Sequence, residues 1–201
     1  MLERQAQKEK LNFRPRVSDH WDEYVWPLAS TIPLIRPLHF LDVRRRAQIE
    51  EGQRVLEIGS GYPFYKIYSG KVGESGLFIA LDSNSTIQKR SKKLLSKGRE
   101  TIIVGDANRI PFQDQTFDLV LGNNFTGSDD EYSFIADTNR VLRIDGKLIL
   151  TFTEILVPTS SHNFKKYCER YGFSNIRISP GLPFPLLPAI SHWFLTATKN
   201  H

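Results

Sequence analysis

At the end of a short apolar run, a glutamate stands two residues before a glycine-serine-glycine turn, in Val55-Leu56-Glu57-Ile58-Gly59-Ser60-Gly61. Glycine is wanted where a turn needs unusual backbone angles and a ligand must approach the main chain closely. Glu57 puts negative charge where a pyrophosphate would be repelled and an ammonium or sulfonium attracted. Asp82 follows the next apolar run, roughly 20 residues beyond the first glycine, where a carboxylate accepts bonds from both hydroxyls of an adenosine ribose. Gly105-Asp106-Ala107 follows a third run, and an acid there can take the exocyclic amine of adenine. Asn123 and Asn124 follow a fourth run, and Glu154 a fifth. Polar residues thus gather at the carboxyl ends of five successive strands, the edge at which open α/β sheets bind ligands.

The elements that must position these residues are legible as alternating patterns. Residues 54–58 (RVLEI), 77–81 (LFIAL), 101–104 (TIIV), 117–121 (FDLVL) and 147–152 (KLILTF) are short runs rich in Val, Ile, Leu and Phe, and predict five buried strands. In residues 131–142, Phe134, Ile135, Thr138, Val141 and Leu142 fall on one helical stripe, opened by a Ser128-x-x-Glu131 capping box. Phe164, Tyr167, Cys168 and Tyr171 repeat the spacing, and Gly172 stands where a helix cap belongs. Residues 175–179 and 192–199 predict two further strands, and the proline-rich stretch between them excludes a crossover helix, so the two should pair antiparallel.

The 201 residues are read as a single domain, with residues 1–50 an amino-terminal arm and helical cap ending near Ile49 and residues 51–201 the α/β core. A composition of 40% hydrophobic and 24% charged residues excludes disorder and coiled coil. No run approaches the roughly 18 apolar residues of a spanning helix, and the first ten residues are charged where a secretory signal would be apolar, so the expected location is cytoplasmic. One cysteine rules out an internal disulfide, and the scattered histidines lack metal-ligand spacing, so no metal site is expected. The net charge of +5 admits a nucleic-acid partner without favouring one.

In order and spacing, VLEIGSG (55–61), ALDSN (80–84), VGDANRIPFQDQTFDLVLGN (104–123) and RVLRIDGKLIL (140–150) resemble the class I S-adenosylmethionine-dependent methyltransferases. Within that class they are similar to the small-molecule and quinone-biosynthesis branch, with looser likeness in GFSNIRIS and HWFLTATK near the end. The resemblance implies a Rossmann-like, seven-stranded, mostly parallel sheet with an antiparallel last strand and helices on both faces. It implies S-adenosylmethionine as cofactor, held by Glu57, Gly59, Ser60, Gly61, Asp82, Ser83, Asp106, Ala107 and Asn123, and a small-molecule or lipidic acceptor. Two positions depart from the family pattern: Pro63 replaces a frequent third glycine, and Ile144-Asp145-Gly146 replaces a frequent Pro-Gly-Gly.

Competing readings attach to particular residues. A nicotinamide-dependent oxidoreductase would want a glycine where Phe64 stands and would place its pyrophosphate against Glu57. The basic residues Lys89, Arg90, Lys92, Lys93, Lys97 and Arg99, with Arg44-Arg45-Arg46, raise an RNA-directed methyltransferase, although no stacking motif accompanies them. A non-catalytic S-adenosylmethionine-binding subunit is the third alternative. Asp118, inside a strand, is read as structural. The general base is unassigned, with Glu154, His20 and Tyr132 the weak candidates, and the oligomeric state is open. Residues 182–190, stiff with proline and apolar, are expected to join residues 21–26 in a hydrophobic entrance over the transferring methyl.

Overall fold

The computed structural model describes residues 35–59, 68–83, 100–122, 133–153, 160–181 and 192–201. All lie in one compact unit, Pro33–His201. The elements are α1 (Ile35–Ala47), β1 (Arg54–Ile58), β2 (Leu77–Asp82), β3 (Glu100–Val104), β4 (Phe117–Gly122), α2 (Ser133–Val141), β5 (Leu142–Thr153), α3 (Ser160–Arg170), β6 (Phe173–Pro180) and β7 (His192–Lys199). The strands form one sheet in the order β3-β2-β1-β4-β5-β7-β6. The first five pair parallel, and β7 runs antiparallel to both β5 and β6. This is the expected sheet, including the antiparallel last strand.

Period-two alternation sends successive side chains to opposite faces, and both faces are covered. On one face, Leu56, Ile58, Ile79, Leu81, Val120, Leu148 and Leu150 pack with Phe134, Ile135 and Val141 of α2 and Phe164 and Cys168 of α3. On the other, Val55, Phe78, Ala80, Leu119, Leu121, Ile149 and Phe194 meet Val43 and Ala47 of α1, together with Tyr68 and Val72. Burial on both faces is why these strands read as continuous apolar runs. Gly172, at φ +80°, ends α3 in the left-handed conformation that the sequence assigned to it.

Boundaries differ most at β5: Leu142, expected to close the helix before it, opens the strand, while β6 starts two residues earlier than expected, at Phe173. β5 begins at Leu142, five residues earlier than the apolar run suggests. The pairing passes from Phe117↔Leu142 to Leu119↔Lys147, so residues 143–146 form an irregularity within the strand. Asp145 adopts φ +62°, and a Cβ on Gly146 would stand 2.7 Å from the Arg143 carbonyl oxygen. The sequence RIDG therefore has turn chemistry while remaining inside the sheet.

The basic run of α1 is divided by the fold. Arg44 and Arg45 are exposed. Arg46 turns inward: its Nε donates to Asp42 (2.9 Å), Nη1 to Ser179 Oγ (2.6 Å) and Nη2 to the Pro180 carbonyl (2.9 Å). Its guanidinium also lies 4.1 Å from the centroid of the Phe194 ring. The segment after Pro180 leaves the sheet opposite Trp193, and β7 re-enters beside Thr153, at the carboxyl edge of the parallel strands. The expected entrance built from residues 182–190 and 21–26 lies outside the described residues, as do the Ser128–Glu131 capping box and the six basic residues between 89 and 99.

Candidate functional site

Strand register brings the sequence-selected acids to one edge. Ile58 pairs with Leu81 on one side and Gly122 on the other, and Leu81 pairs with Ile103. One step further along, Gly59 follows β1, Asp82 closes β2 opposite Val104, and β4 ends at Gly122 immediately before Asn123. Gly59 has φ +61°, a left-handed conformation that suits glycine, so the chain turns sharply as it leaves the strand. Glu57 is wholly buried, on the face it shares with Val55. A carboxylate at that depth is costly unless donors or a cation meet it.

Asp82 is half-buried, and its carbonyl accepts the Gly105 N–H at 3.0 Å. This bond joins the end of β2 to the turn after β3. A Cβ on Gly105 would stand 2.7 Å from Leu81 Cδ1, so a glycine lets the two chain segments meet. Asp106 folds the next turn on itself: its Oδ1 accepts the Asn108 backbone N–H (2.9 Å) and side-chain Nδ2 (3.0 Å), and its carbonyl accepts the Arg109 N–H (3.0 Å). Asp106 is exposed, Ala107 is half-buried and Ser83 is exposed. The structure thus brings Glu57, Gly59, Asp82, Ser83, Asp106 and Ala107 to the carboxyl ends of three adjacent strands. Ser60, Gly61 and Asn123 lie outside the described residues, as do Pro63, Glu154, His20 and Tyr132.

The loop that carries Asp106 is held from behind by a pair that the sequence reading did not single out. Asp137 on α2 accepts the Ile110 backbone N–H through Oδ2. Arg140, one turn on, donates from Nε to Asp137 Oδ1 (2.7 Å) and from Nη2 to the Ile110 carbonyl (2.9 Å). Its Nη1 reaches the Phe112 carbonyl (2.7 Å) and Asp114 Oδ1 (2.9 Å). Hydrogen bonds donated to Asp137 and then to Asp114 hold the guanidinium charged more firmly than usual. A local signal did exist: an acid and an arginine three apart on a helix face each other.

Asp118 is structural, as its place within β4 suggested. It accepts the Arg54 N–H (2.7 Å) and pairs with Arg143 Nη1 (2.6 Å). A shallow cleft lined by Gln53, Asp118, Arg143 and Lys147 sits by these residues, at the amino-terminal edge of the sheet, away from the acids. Among the described residues no group of three or more His, Cys, Asp or Glu is placed to hold a metal ion, and no helix is long and apolar enough to cross a membrane.

Residues 56–150 match the family model described as "Methyltransferase domain". The matched stretch runs from within β1 to within β5 and takes in nearly all of the four motifs. The ubiquinone/menaquinone biosynthesis C-methyltransferase UbiE of Cupriavidus metallidurans is 31% identical over 136 residues, covering 64% of this chain and 53% of its own. A demethylmenaquinone methyltransferase of Anoxybacillus flavithermus is 27% identical over 140 residues, covering 67% of this chain and 57% of its own. The chain thus spans little more than half the length of these curated relatives. The crystal structure of a SAM-dependent methyltransferase from Aquifex aeolicus superposes with a TM-score of 0.62 at 20% identity, covering 81% of this chain and 97% of that one. At that identity the likeness establishes the fold.

Proposed function

We propose that this chain is a class I S-adenosylmethionine-dependent methyltransferase that acts on a small or lipidic acceptor of quinone-like chemistry. The observation that carries the reading is the register of β1, β2 and β3, which sets Glu57 and Gly59, Asp82, and Gly105 with Asp106 side by side at one sheet edge. The acceptor class is supported by the quinone-biosynthesis relatives.

The donor set fits this cofactor. The left-handed conformation at Gly59 suits a tight turn after β1, and Gly105 lets the loop after β3 close onto Leu81 at the end of β2. Asp82 would accept the two ribose hydroxyls. Asp106, with Oδ1 already engaged by Asn108, would offer Oδ2 to the adenine amine beside Ala107. Glu57, through the turn of Gly59, Ser60 and Gly61, would favour the cationic methionine end, with Ser83 and Asn123 completing the contacts. When bound, the cofactor supplies a methyl group on a sulfonium, an already activated leaving group. The chain's task is then alignment of the acceptor and exclusion of water, which suits a site on rigid strand ends. In this reading residues 51–201 are the methyltransferase core, residues 1–50 its amino-terminal extension, and the enzyme works in the cytoplasm.

The test is transfer of a labelled methyl group from S-adenosylmethionine to short-chain demethylquinols, with a phosphoethanolamine and a structured RNA as comparison acceptors. Transfer to the quinol alone supports the proposal. Transfer to RNA alone replaces the acceptor class, and cofactor binding without transfer to any acceptor replaces the enzyme with a binding subunit.

A further inference from the structure

From the anchoring of the loop after β3, we infer that Arg140, with Asp137, is a positioning residue for adenine recognition by Asp106. The inference rests on the cofactor reading above. Between Gly105 and Ile110 the chain is fastened at both ends. At the first, the Gly105 N–H bonds to the Asp82 carbonyl (3.0 Å). At the second, the Ile110 N–H bonds to Asp137, the Ile110 carbonyl accepts Arg140 Nη2 (2.9 Å), and the Ile110 side chain is 2% exposed. Only Asp106, Ala107, Asn108 and Arg109 lie between the two anchors. Their conformation is closed further by the Asp106 to Asn108 and Asp106 to Arg109 bonds.

A span of four residues fixed at both ends has little freedom, so the direction of the Asp106 carboxylate follows from where the anchors sit. The first anchor is part of the sheet. The second is a side-chain pair on α2, and Arg140 supplies its geometry through the guanidinium fork, which bonds Asp137 and the Ile110 and Phe112 carbonyls at once. Lysine carries the charge but cannot reproduce the fork. Arg140 does not belong to the carboxyl-edge group of acids, so its effect on a ligand would pass through the loop.

The experiment compares S-adenosylhomocysteine with its inosine counterpart, in which a ring carbonyl replaces the exocyclic amine. Both are titrated calorimetrically into the wild type and into Arg140→Gln, Arg140→Lys, Asp137→Asn and Glu169→Gln, with the folded fraction taken from near-ultraviolet dichroism. The wild type should prefer the adenosine compound by about tenfold or more, the worth of one charge-assisted hydrogen bond. Arg140→Gln and Arg140→Lys should erase most of that preference while the inosine compound binds nearly as before. Glu169, exposed on α3 and paired with Lys165, is the control, and its variant should keep the wild-type preference. If the Arg140 variants do not fold, Asp137→Asn carries the test, because it weakens the same anchor while keeping the side-chain shape.

Folded variants that bind both compounds more weakly but keep the wild-type preference would show that the pair is merely structural, and would overturn the inference. So would a wild type that binds both compounds equally. A wild type that binds neither overturns the cofactor reading itself, and this inference with it.

Discussion

Asp82 is the residue on which the cofactor reading can be tested most directly, because it is half-buried at a strand end and its backbone carbonyl ties it to the next loop. Replacing it by Ala leaves the carbonyl that accepts the Gly105 N–H in place, so the local fold should survive. Two hydrogen bonds from ribose hydroxyls to a carboxylate are worth roughly 1.5 to 3 kcal/mol each, so affinity for S-adenosylhomocysteine should fall more than tenfold. Unchanged calorimetric affinity in a folded variant would refute the assignment. Glu57→Gln asks a different question, since it keeps shape and hydrogen bonding but removes charge from a wholly buried position. The expected outcome is weaker binding at unchanged fold. If the variant instead loses stability while each folded molecule binds normally, Glu57 serves the sheet and not the ligand.

At the scale of elements, the two ends of the site are built differently. Gly59, Asp82 and Val104 are aligned by parallel register, which hydrogen bonding along five-residue strands specifies tightly. Asp106 is one step outside the sheet and depends on α2 for its anchor. The cap of α3 meets α2 on the same face at Asn139, whose Nδ2 donates to the Gly172 carbonyl (3.4 Å), whereas the anchor is made by Asp137 and Arg140. Gly172 is left-handed, and a Cβ there would meet only Asn139 Nδ2, at 3.6 Å. Gly172→Ala should therefore cost about 1 to 2 kcal/mol of stability with no change in S-adenosylhomocysteine affinity per folded molecule, measured by urea denaturation and calorimetry together. The same contrast explains what the sequence made legible. The five core strands could be read from composition because burial on both faces makes each of them rich in Val, Ile, Leu and Phe. Asp82 and Asp106 could be read because they stand just after those runs, and Glu57 because it is an acid within one, two residues before a glycine. The early start of β5 was hidden because RIDG has turn chemistry, with Asp145 left-handed, yet remains within the strand. The Asp137–Arg140 anchor was hidden because its partners are carbonyls and an N–H some 27 to 30 residues away, and backbone groups leave no mark in a side-chain pattern.

For the whole molecule, the strand order places β1 between β2 and β4, the reversal point at whose carboxyl ends open α/β sheets bind ligands. The same topology serves nicotinamide and S-adenosylmethionine sites, and the fold alone cannot separate them. On the proposed reading charge separates them: an ionised Glu57 near the end of β1 would oppose a pyrophosphate and favour a cation. That difference should be visible in global stability, because a ligand that binds only the folded chain stabilises it by mass action. At about a hundred times its dissociation constant, a ligand adds about 2.7 kcal/mol. For a chain of this length, each kcal/mol raises the melting temperature by about 2 to 4 °C. Saturating S-adenosylhomocysteine should thus raise the melting temperature by about 5 to 10 °C, and equimolar NAD should leave it unchanged. In Asp82→Ala, the same S-adenosylhomocysteine concentration would be at most about ten times the new dissociation constant, and the shift should shrink to about half or less. A shift with NAD that equals or exceeds the shift with S-adenosylhomocysteine would reverse the assignment of the site, whatever the motifs around it resemble.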